Sequence, residues 1–170
     1  RATDAATGRA AYFSKYDIVR DDYRAVMASC ALPGFCRPVK VGDRYYYDGG
    51  VADSIPLHHA IEQGCTKMVV ILSNPRNFVK KPEAHRPLYK HMLHKYPKTI
   101  QSIDNRHINY QASINLASRL EKEGYVFIFA PSRHMPLSTF SKDAALEQDL
   151  YDLGVADYEA RAEELKYFLN

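Results

Sequence analysis

The stretch from residue 44 to residue 72 constrains the fold more than any other part of this sequence. It begins with the aromatic run RYYYD, which favours a strand and ends at Asp48. A short helix is expected next, because Asp53 or Ser54 can cap its start and Gly64 can adopt the left-handed conformation after its end. The apolar run KMVVIL that follows is typical of a buried strand in a parallel sheet. Strand, helix and strand in this order predict an α/β fold.

Short strands and helices are also expected before this stretch. The runs FCRPVKV and RYYYD flank Gly42-Asp43, a two-residue turn with glycine first that predicts a β-hairpin. Further upstream, residues 9–13 and 17–19 favour short strands. Asp21 or Asp22 can cap a helix after them.

Helices dominate the second half of the chain. Apolar residues spaced mostly by three or four predict a long amphipathic helix over 99–122, which Gly124 can end. Residues 125–130 form another apolar run of strand length. Ser141 can cap a further helix, and Gly154 is expected to separate it from a last one.

The composition excludes several other classes of protein. With 46% hydrophobic and 25% charged residues among 170, the chain has the composition of one globular domain and not of a disordered or fibrous protein. Its longest uninterrupted apolar run has strand length, so no membrane-spanning helix is expected. Three cysteines are too few for a disulfide framework and predict reduced thiols in a cytoplasmic protein.

Asp48 is the candidate catalytic residue. A carboxylate can act as a general base if it reaches the proton of a nucleophile. Ligands of open α/β sheets gather beyond the carboxyl ends of strands, which is where Asp48 is expected. Gly49 and Gly50 allow a sharp turn and the close approach of another segment or a substrate. The Asp-Gly-Gly sequence is also compatible with a tight turn that only leads into the helix.

The surroundings of this turn resemble a known family. The segments ASCALPGFCRPV (28–39) and DRYYYDGGVADSIPL (43–57), followed by a hydrophobic strand, are similar to the later part of the patatin-like phospholipases. The start of the chain, ATDAATGRAAYF, and the closing helices over 141–170 also resemble that family. The resemblance implies a three-layer α/β/α fold with a mainly parallel sheet, of which residues 1–170 form the C-terminal portion.

The resemblance also implies a mechanism. Patatin-like enzymes are lipid acyl hydrolases with a Ser-Asp dyad, and Asp48 would take the proton of a serine on a G-x-S-x-G elbow. Backbone N–H groups of a glycine-rich loop would hold the oxyanion. The substrate would be a lipid or another acyl ester, and no cofactor is implied.

The sequence departs from the family pattern at its N-terminal side. Neither the serine elbow nor the glycine-rich loop occurs in these 170 residues, and the first residue is Arg1 instead of Met. We therefore expect the N-terminal half of the same domain to supply both elements. The 170-residue chain alone is expected to be inactive and its sheet to be incomplete on that side. Ser29 and Ser54 do not lie on glycine-flanked elbows, so structural roles are expected for both.

The stretch over 76–98 is basic, with seven Lys and Arg residues against one Glu. One interpretation is a solvated surface excursion without a partner. A second is peripheral contact with an anionic membrane, since cationic side chains are attracted to phospholipid head groups. A third is a nucleic-acid module with salt-dependent binding. No aromatic stacking platform or groove-reading motif supports the third interpretation, so nucleic acid is not the expected partner.

Two further interpretations complete the sequence-based picture. His58-His59 and the pair His91 and His94 are candidate metal ligands, but no Cys or carboxylate lies at matching zinc spacing, so no metal is expected. The alternative to an enzyme is a non-catalytic α/β binding or regulatory domain with a degenerate patatin-like fold.

Overall fold

Strands and helices alternate along most of the chain, as the sequence predicts. The structure is a computed structural model that describes residues 1–84, 86–136 and 142–170. Its elements, in chain order, are β1 (Ala2–Asp4), β2 (Ala10–Ala11), α1 (Arg24–Ser29), β3 (Val39–Val41), β4 (Arg44–Asp48), a 3-10 turn (Gly49–Val51), α2 (Leu57–Glu62), β5 (Met68–Ile71), α3 (Arg86–Met92), α4 (Pro97–Lys122), β6 (Val126–Phe129), α5 (Ala144–Glu159) and α6 (Ala162–Leu169).

The described residues form two compact units. The first unit comprises residues 1–56 and 80–114, and the second comprises residues 57–79 and 115–170. Each unit contains its own sheet, with four strands in the first unit and two in the second. The α/β class is therefore confirmed.

The sheet of the first unit is antiparallel throughout. Its strand order is β2-β1-β4-β3. Gly42 adopts a φ of 58° in the predicted hairpin between β3 and β4, and Gly8 adopts a φ of 68° in the turn between β1 and β2. Both connections are too short for the crossover that a parallel pair requires. The prediction of a mainly parallel sheet is therefore not confirmed, and the three-layer arrangement remains a prediction.

Two consecutive tyrosines of β4 belong to buried clusters on opposite faces of the sheet in the first unit. Tyr46 packs in one buried cluster with Ala28 of α1. Tyr47 packs in another with Ile100 and Ile103 of α4. Neighbouring residues of a strand point to opposite faces, so β4 must be buried on both. Burial, together with the neighbouring hydroxyl of Tyr96, raises the pKa of Tyr47 to about 12.

The second unit is built around the parallel pair β5 and β6. Val126, Phe127 and Ile128 of β6 are buried. The ring of Phe127 lies 5.7 Å from that of Phe168 in α6, and the guanidinium group of Arg161 lies 4.3 Å from the Phe127 ring centre. The predicted strands over 67–72 and 125–130 are thus confirmed as a parallel pair.

Two local predictions differ from the structure here, and a third falls on a residue outside the described ranges. Residues 17–19 do not form a strand. Gly154 lies inside α5, and the break between the closing helices comes at Ala160 and Arg161. A glycine in a helix costs only about 1 kcal/mol relative to alanine, so its neighbours can carry the helix through it. Ser141 lies outside the described residues, and Asp143 caps α5 by accepting hydrogen bonds from the next turn.

Several other local predictions agree with the structure. The long helix is present as α4, and Gly64 and Gly124 both have the positive φ expected after a helix end, at 82° and 81°. The N-cap residue of α1 is Tyr23, which makes no side-chain cap, so the predicted cap by Asp21 or Asp22 is not confirmed, although the Asp22 carboxylate accepts a hydrogen bond from the Arg24 N–H group. None of the helices in the described ranges combines the length and apolar character needed to cross a bilayer. The three cysteines are unpaired.

A buried carboxylate organises the turn between β1 and β2. Asp4 Oδ1 accepts hydrogen bonds from the N–H groups of Ala6 and Thr7 at 3.0 and 2.8 Å. Asp4 Oδ2 accepts one from Arg44 of β4 at 3.0 Å. Burial raises the pKa of Asp4, but the hydrogen bonds from Thr7 and Arg44 outweigh it and hold the pKa below its ordinary value.

Replacement of this carboxylate should give a pH-dependent loss of stability. Asp4→Asn is expected to lower the free energy of unfolding at neutral pH by about 1.5–3 kcal/mol, because it removes a charged acceptor. Since the folded-state pKa is depressed, the contribution is present above the unfolded pKa of about 3.9 and is lost as the pH falls through the folded value. Urea unfolding of the wild type and the variant across this pH range measures the effect.

The matched control is Asp43→Asn, which makes the same chemical change in the exposed hairpin turn. It should leave the free energy of unfolding almost unchanged. An equal loss from both substitutions, or a loss from Asp4→Asn that does not shrink in acid, would contradict this account.

Candidate active site

The backbone of Asp48 is held by hydrogen bonds from two directions. Its N–H group donates to the carbonyl of Ala31, which follows α1, at 2.8 Å. Its carbonyl accepts a hydrogen bond from the hydroxyl of Thr3 in β1 at 2.7 Å. Because β1 also pairs with β4 in register, Ala2 opposite Asp48, the last residue of β4 has a fixed position.

The side chain of Asp48 caps the turn that follows. Oδ1 accepts a hydrogen bond from the N–H group of Gly50 at 2.7 Å. Oδ2 has no hydrogen-bond partner within the described ranges, and the side chain is half-buried. One oxygen therefore orients the carboxylate, while the other remains able to accept a proton or a hydrogen bond.

Gly49 and Gly50 differ in the space available for a side chain. A Cβ atom on Gly49 would lie 2.8 Å from the backbone carbonyl oxygen of Arg1, so the close approach of the chain start to the turn excludes a side chain there. A Cβ atom on Gly50 would lie 3.1 Å from Asp48 Oδ1 and 3.6 Å from Arg106 Nη2. The turn thus requires glycine at its first position and has tight space at its second.

Thr3 and Arg106 complete the site, and sequence reasoning missed both. The fully buried hydroxyl of Thr3 also accepts a hydrogen bond from the Ala52 N–H group at 3.2 Å, so it bridges the two ends of the turn. Arg106 of α4 donates from Nε to the Gly50 carbonyl at 2.8 Å and pairs through Nη1 with Glu83 at 2.9 Å. No local pattern marks these residues, because they lie 45 and 56 positions from their partners in the turn.

The structure gives Ser54 a structural role. Its hydroxyl donates to the Gly50 carbonyl at 2.8 Å, and its own carbonyl accepts from Arg1 at 3.0 Å. It therefore stabilises the turn and does not cap α2, contrary to one of the two caps predicted for that helix. Ser29 is the last residue of α1, and its predicted structural role stays a prediction.

The predicted candidate ligands do not form a metal site in the described part of the chain. His58 and His59 lie on α2, where His59 Nδ1 is 4.0 Å from Glu62. His91 and His94 are exposed, and His94 Nδ1 lies 2.9 Å from the carbonyl oxygen of His91. Among the described residues, no group of three His, Cys, Asp or Glu side chains is arranged around a common point.

Comparison with known proteins agrees with the resemblance around the turn. Residues 9–61 match the family model described as patatin-like phospholipase. This similarity supports the patatin-like family for the matched range. The matched range contains β4 and Asp48, although a match of this kind assigns no role to a single residue.

A second family model covers the other part of the chain. Residues 96–170 match a domain of unknown function, DUF6363. The closing helices, for which the sequence predicts a patatin-like resemblance, lie in this range. The assignment of residues 1–170 to one patatin-like domain therefore stays a prediction.

One curated relative is the "Uncharacterized protein YjjU" of Escherichia coli (strain K12). It is 39% identical over 59 residues, which amount to 34% of this chain and 16% of that protein. The chain thus corresponds to a small part of the length of this relative.

The steric difference between two glycines gives a direct test of the turn. Gly49→Ala should lower the free energy of unfolding by about 1–3 kcal/mol, because the new methyl group collides with the Arg1 backbone. Gly154→Ala is the matched control, since it adds a methyl group to α5 with no atom within 4 Å. It should stabilise the protein by up to about 1 kcal/mol. Chemical denaturation measures both effects, and equal behaviour of the two variants would show that the turn is not sterically restricted.

Proposed function

We propose that this chain is part of a lipid acyl-ester hydrolase in which Asp48 is the catalytic base. The observation that supports the proposal is the orientation and hydrogen bonding of the Asp48 carboxylate. It is oriented by the Gly50 N–H group, retains one oxygen without a hydrogen bond among the described residues, and lies within the range that matches the patatin-like model.

The proposed reaction needs a serine from outside these residues, because no G-x-S-x-G sequence is present. Asp48 Oδ2 takes the proton of the serine hydroxyl as the serine oxygen bonds to the acyl carbon. The proton then passes to the departing alcohol as the ester bond breaks. Asp48 next takes a proton from water as the water oxygen bonds to the acyl carbon, and the bond between that carbon and the serine oxygen breaks. This releases the free acid, and the proton returns to the serine oxygen. N–H groups of a glycine-rich loop outside these residues stabilise the oxyanion.

The second unit supports the proposal that further polypeptide completes the domain. Val69 and Ile71 of β5 are 41% and 79% exposed, although a strand in a parallel sheet is normally buried on both faces. A patatin-like N-terminal half that adds parallel strands and covering helices would bury them. The same half would supply the serine elbow and the glycine-rich loop.

The test of the catalytic role is Asp48→Asn in the full-length protein. The hydrolysis rate of a short-chain p-nitrophenyl ester should fall by about 10²–10⁴-fold, since a general base typically contributes that much. Asp53→Asn, the same change five residues away, is the control and should retain activity. Both variants should melt like the wild type, so that a loss of rate reflects chemistry. An Asp48→Asn protein with wild-type turnover would refute the mechanism.

A fluorophosphonate probe separates this proposal from a non-catalytic binding domain. The full-length wild-type protein should label at a serine outside these 170 residues, and Asp48→Asn should slow the labelling. A full-length protein that neither labels nor hydrolyses esters would favour the non-catalytic alternative.

A further inference from the structure

The sheet of the second unit has two outer edges, one on β5 and one on β6. In this parallel pair the N–H group of Met68 donates to the carbonyl of Tyr125 at 2.9 Å. Successive residues of a strand direct their backbone groups to opposite sides. The N–H and C=O groups of Val69 and Ile71 therefore point away from β6, and those of Ile128 point away from β5.

Side chains bond to the outward backbone groups of Ile128 in β6. Its N–H group donates to Oε1 of Glu121 at 3.2 Å. Its carbonyl accepts hydrogen bonds from Arg76 at 3.0 Å and from Arg161 at 2.6 Å. Arg76 also forms a two-point ion pair with Glu121. We call Glu121, Arg76 and Arg161 the β6 clamp, because together they occupy the position at which a further strand would bond to Ile128.

The outward edge of β5 has no such clamp. Among the described residues, no strand pairs with this edge, and the outward backbone groups of Val69 and Ile71 have no hydrogen-bond partner. Folded proteins normally protect an edge strand with charged residues, proline or a bulge. The run over 68–72, MVVIL, contains neither a charged residue nor a proline. β5 therefore presents the alternating donors and acceptors of an unpaired strand.

The apolar layer that covers this sheet also stops short of β5. The register places Val69 and Ile71 on the same face as Phe129 of β6. The ring of Phe129 lies 6.0 Å from that of Tyr158 in α5, whereas Val69 and Ile71 line a groove of about 410 Å³ and are 41% and 79% exposed. The apolar face thus continues beyond the part that the closing helices cover.

We infer that a strand of the polypeptide that precedes Arg1 pairs with the open edge of β5, and that β6 is the last strand of the same sheet. Alternating N–H and C=O groups at strand spacing are matched by another extended chain. A strand of the same molecule has a much higher effective concentration than one of a second copy. The source of the strand rests on the proposed function, which requires an N-terminal half, and the two edges determine the side on which this half adds.

Hydrogen–deuterium exchange of the full-length protein tests the pairing, if mass spectrometry with electron-transfer fragmentation resolves single amides. The amides of Val69 and Ile71 should be protected to within about tenfold of the amide of Val70, which points toward β6. Weaker protection of Val69 or Ile71, or an unprotected Val70, would overturn the inference.

The Glu121→Ala substitution tests whether β6 ends the sheet. The Ile128 amide should then exchange at least about tenfold faster relative to that of Val70, because it loses its acceptor. The comparison with Val70 in the same molecule removes any general loss of stability. Glu123→Ala makes the same change at a residue that lies 3.9 Å from Arg119, and it should leave the Ile128 amide unchanged. An Ile128 amide that stays protected in Glu121→Ala would indicate a further strand on β6 and contradict the inference.

Two comparisons identify the source of the strand and separate this inference from the catalytic proposal. Protection of Val69 and Ile71 that disappears when the protein is diluted to a monomer would assign the pairing to a second copy and overturn the inference. Asp48→Asn should leave this protection unchanged. A protein that labels with the fluorophosphonate probe but leaves Val69 and Ile71 unprotected would overturn this inference alone. Protected amides in a protein without a reactive serine would overturn only the catalytic proposal.

Discussion

The candidate site depends on the two hydrogen bonds that the hydroxyl group of Thr3 makes. It donates to the carbonyl of Asp48 and accepts from the N–H group of Ala52, so one buried atom holds both ends of the Asp-Gly-Gly turn. A buried turn must satisfy its backbone polar groups, and here the neighbouring strand β1 does so. With the backbone fixed, the carboxylate of Asp48 can cap the turn through one oxygen and present the other.

A chain of polar contacts connects this turn to the basic stretch within the first unit. The carbonyl of Gly50 accepts from Arg106, which pairs with Glu83, and Glu83 also lies 3.3 Å from the ammonium group of Lys80. Other cationic residues of the stretch also lie beside carboxylates. Arg86 pairs with Asp104 and Lys80 with Glu83, and the hydrogen bond from Arg86, together with the charge of Lys90, lowers the pKa of Asp104.

The sequence predicted features that depend on neighbouring residues. The hairpin at Gly42-Asp43, the position of Asp48 at the end of a strand and the positive φ of Gly64 all follow from local backbone preferences. The parallel pair β5 and β6 follows from two continuous apolar runs. The direction of β1 relative to β4 was not predictable in this way, because this pairing joins residues more than forty positions apart.

Contacts between residues far apart in the sequence also explain which site residues the sequence analysis missed. Asp48 was found because its Asp-Gly-Gly surroundings carry a local signal and a family resemblance. Thr3 and Arg106 lie on β1 and α4 and look like ordinary strand and helix residues. Their roles arise only from tertiary contacts, which no periodicity or spacing within one element reveals. The prediction of a helix break at Gly154 was wrong for the opposite reason. Glycine disfavours a helix locally, but the helix-forming residues around it outweigh this preference.

Hydrogen exchange of the Gly50 amide in Thr3→Val and Thr3→Ser, followed by NMR, tests the central claim most directly. The Gly50 N–H group donates to Asp48 Oδ1, so its protection reports whether the carboxylate still caps the turn. We predict exchange about tenfold faster in Thr3→Val, which lacks the bridging hydroxyl, and protection close to that of the wild type in Thr3→Ser, which retains it. Equal protection of the Gly50 amide in both variants would show that Thr3 does not hold the turn.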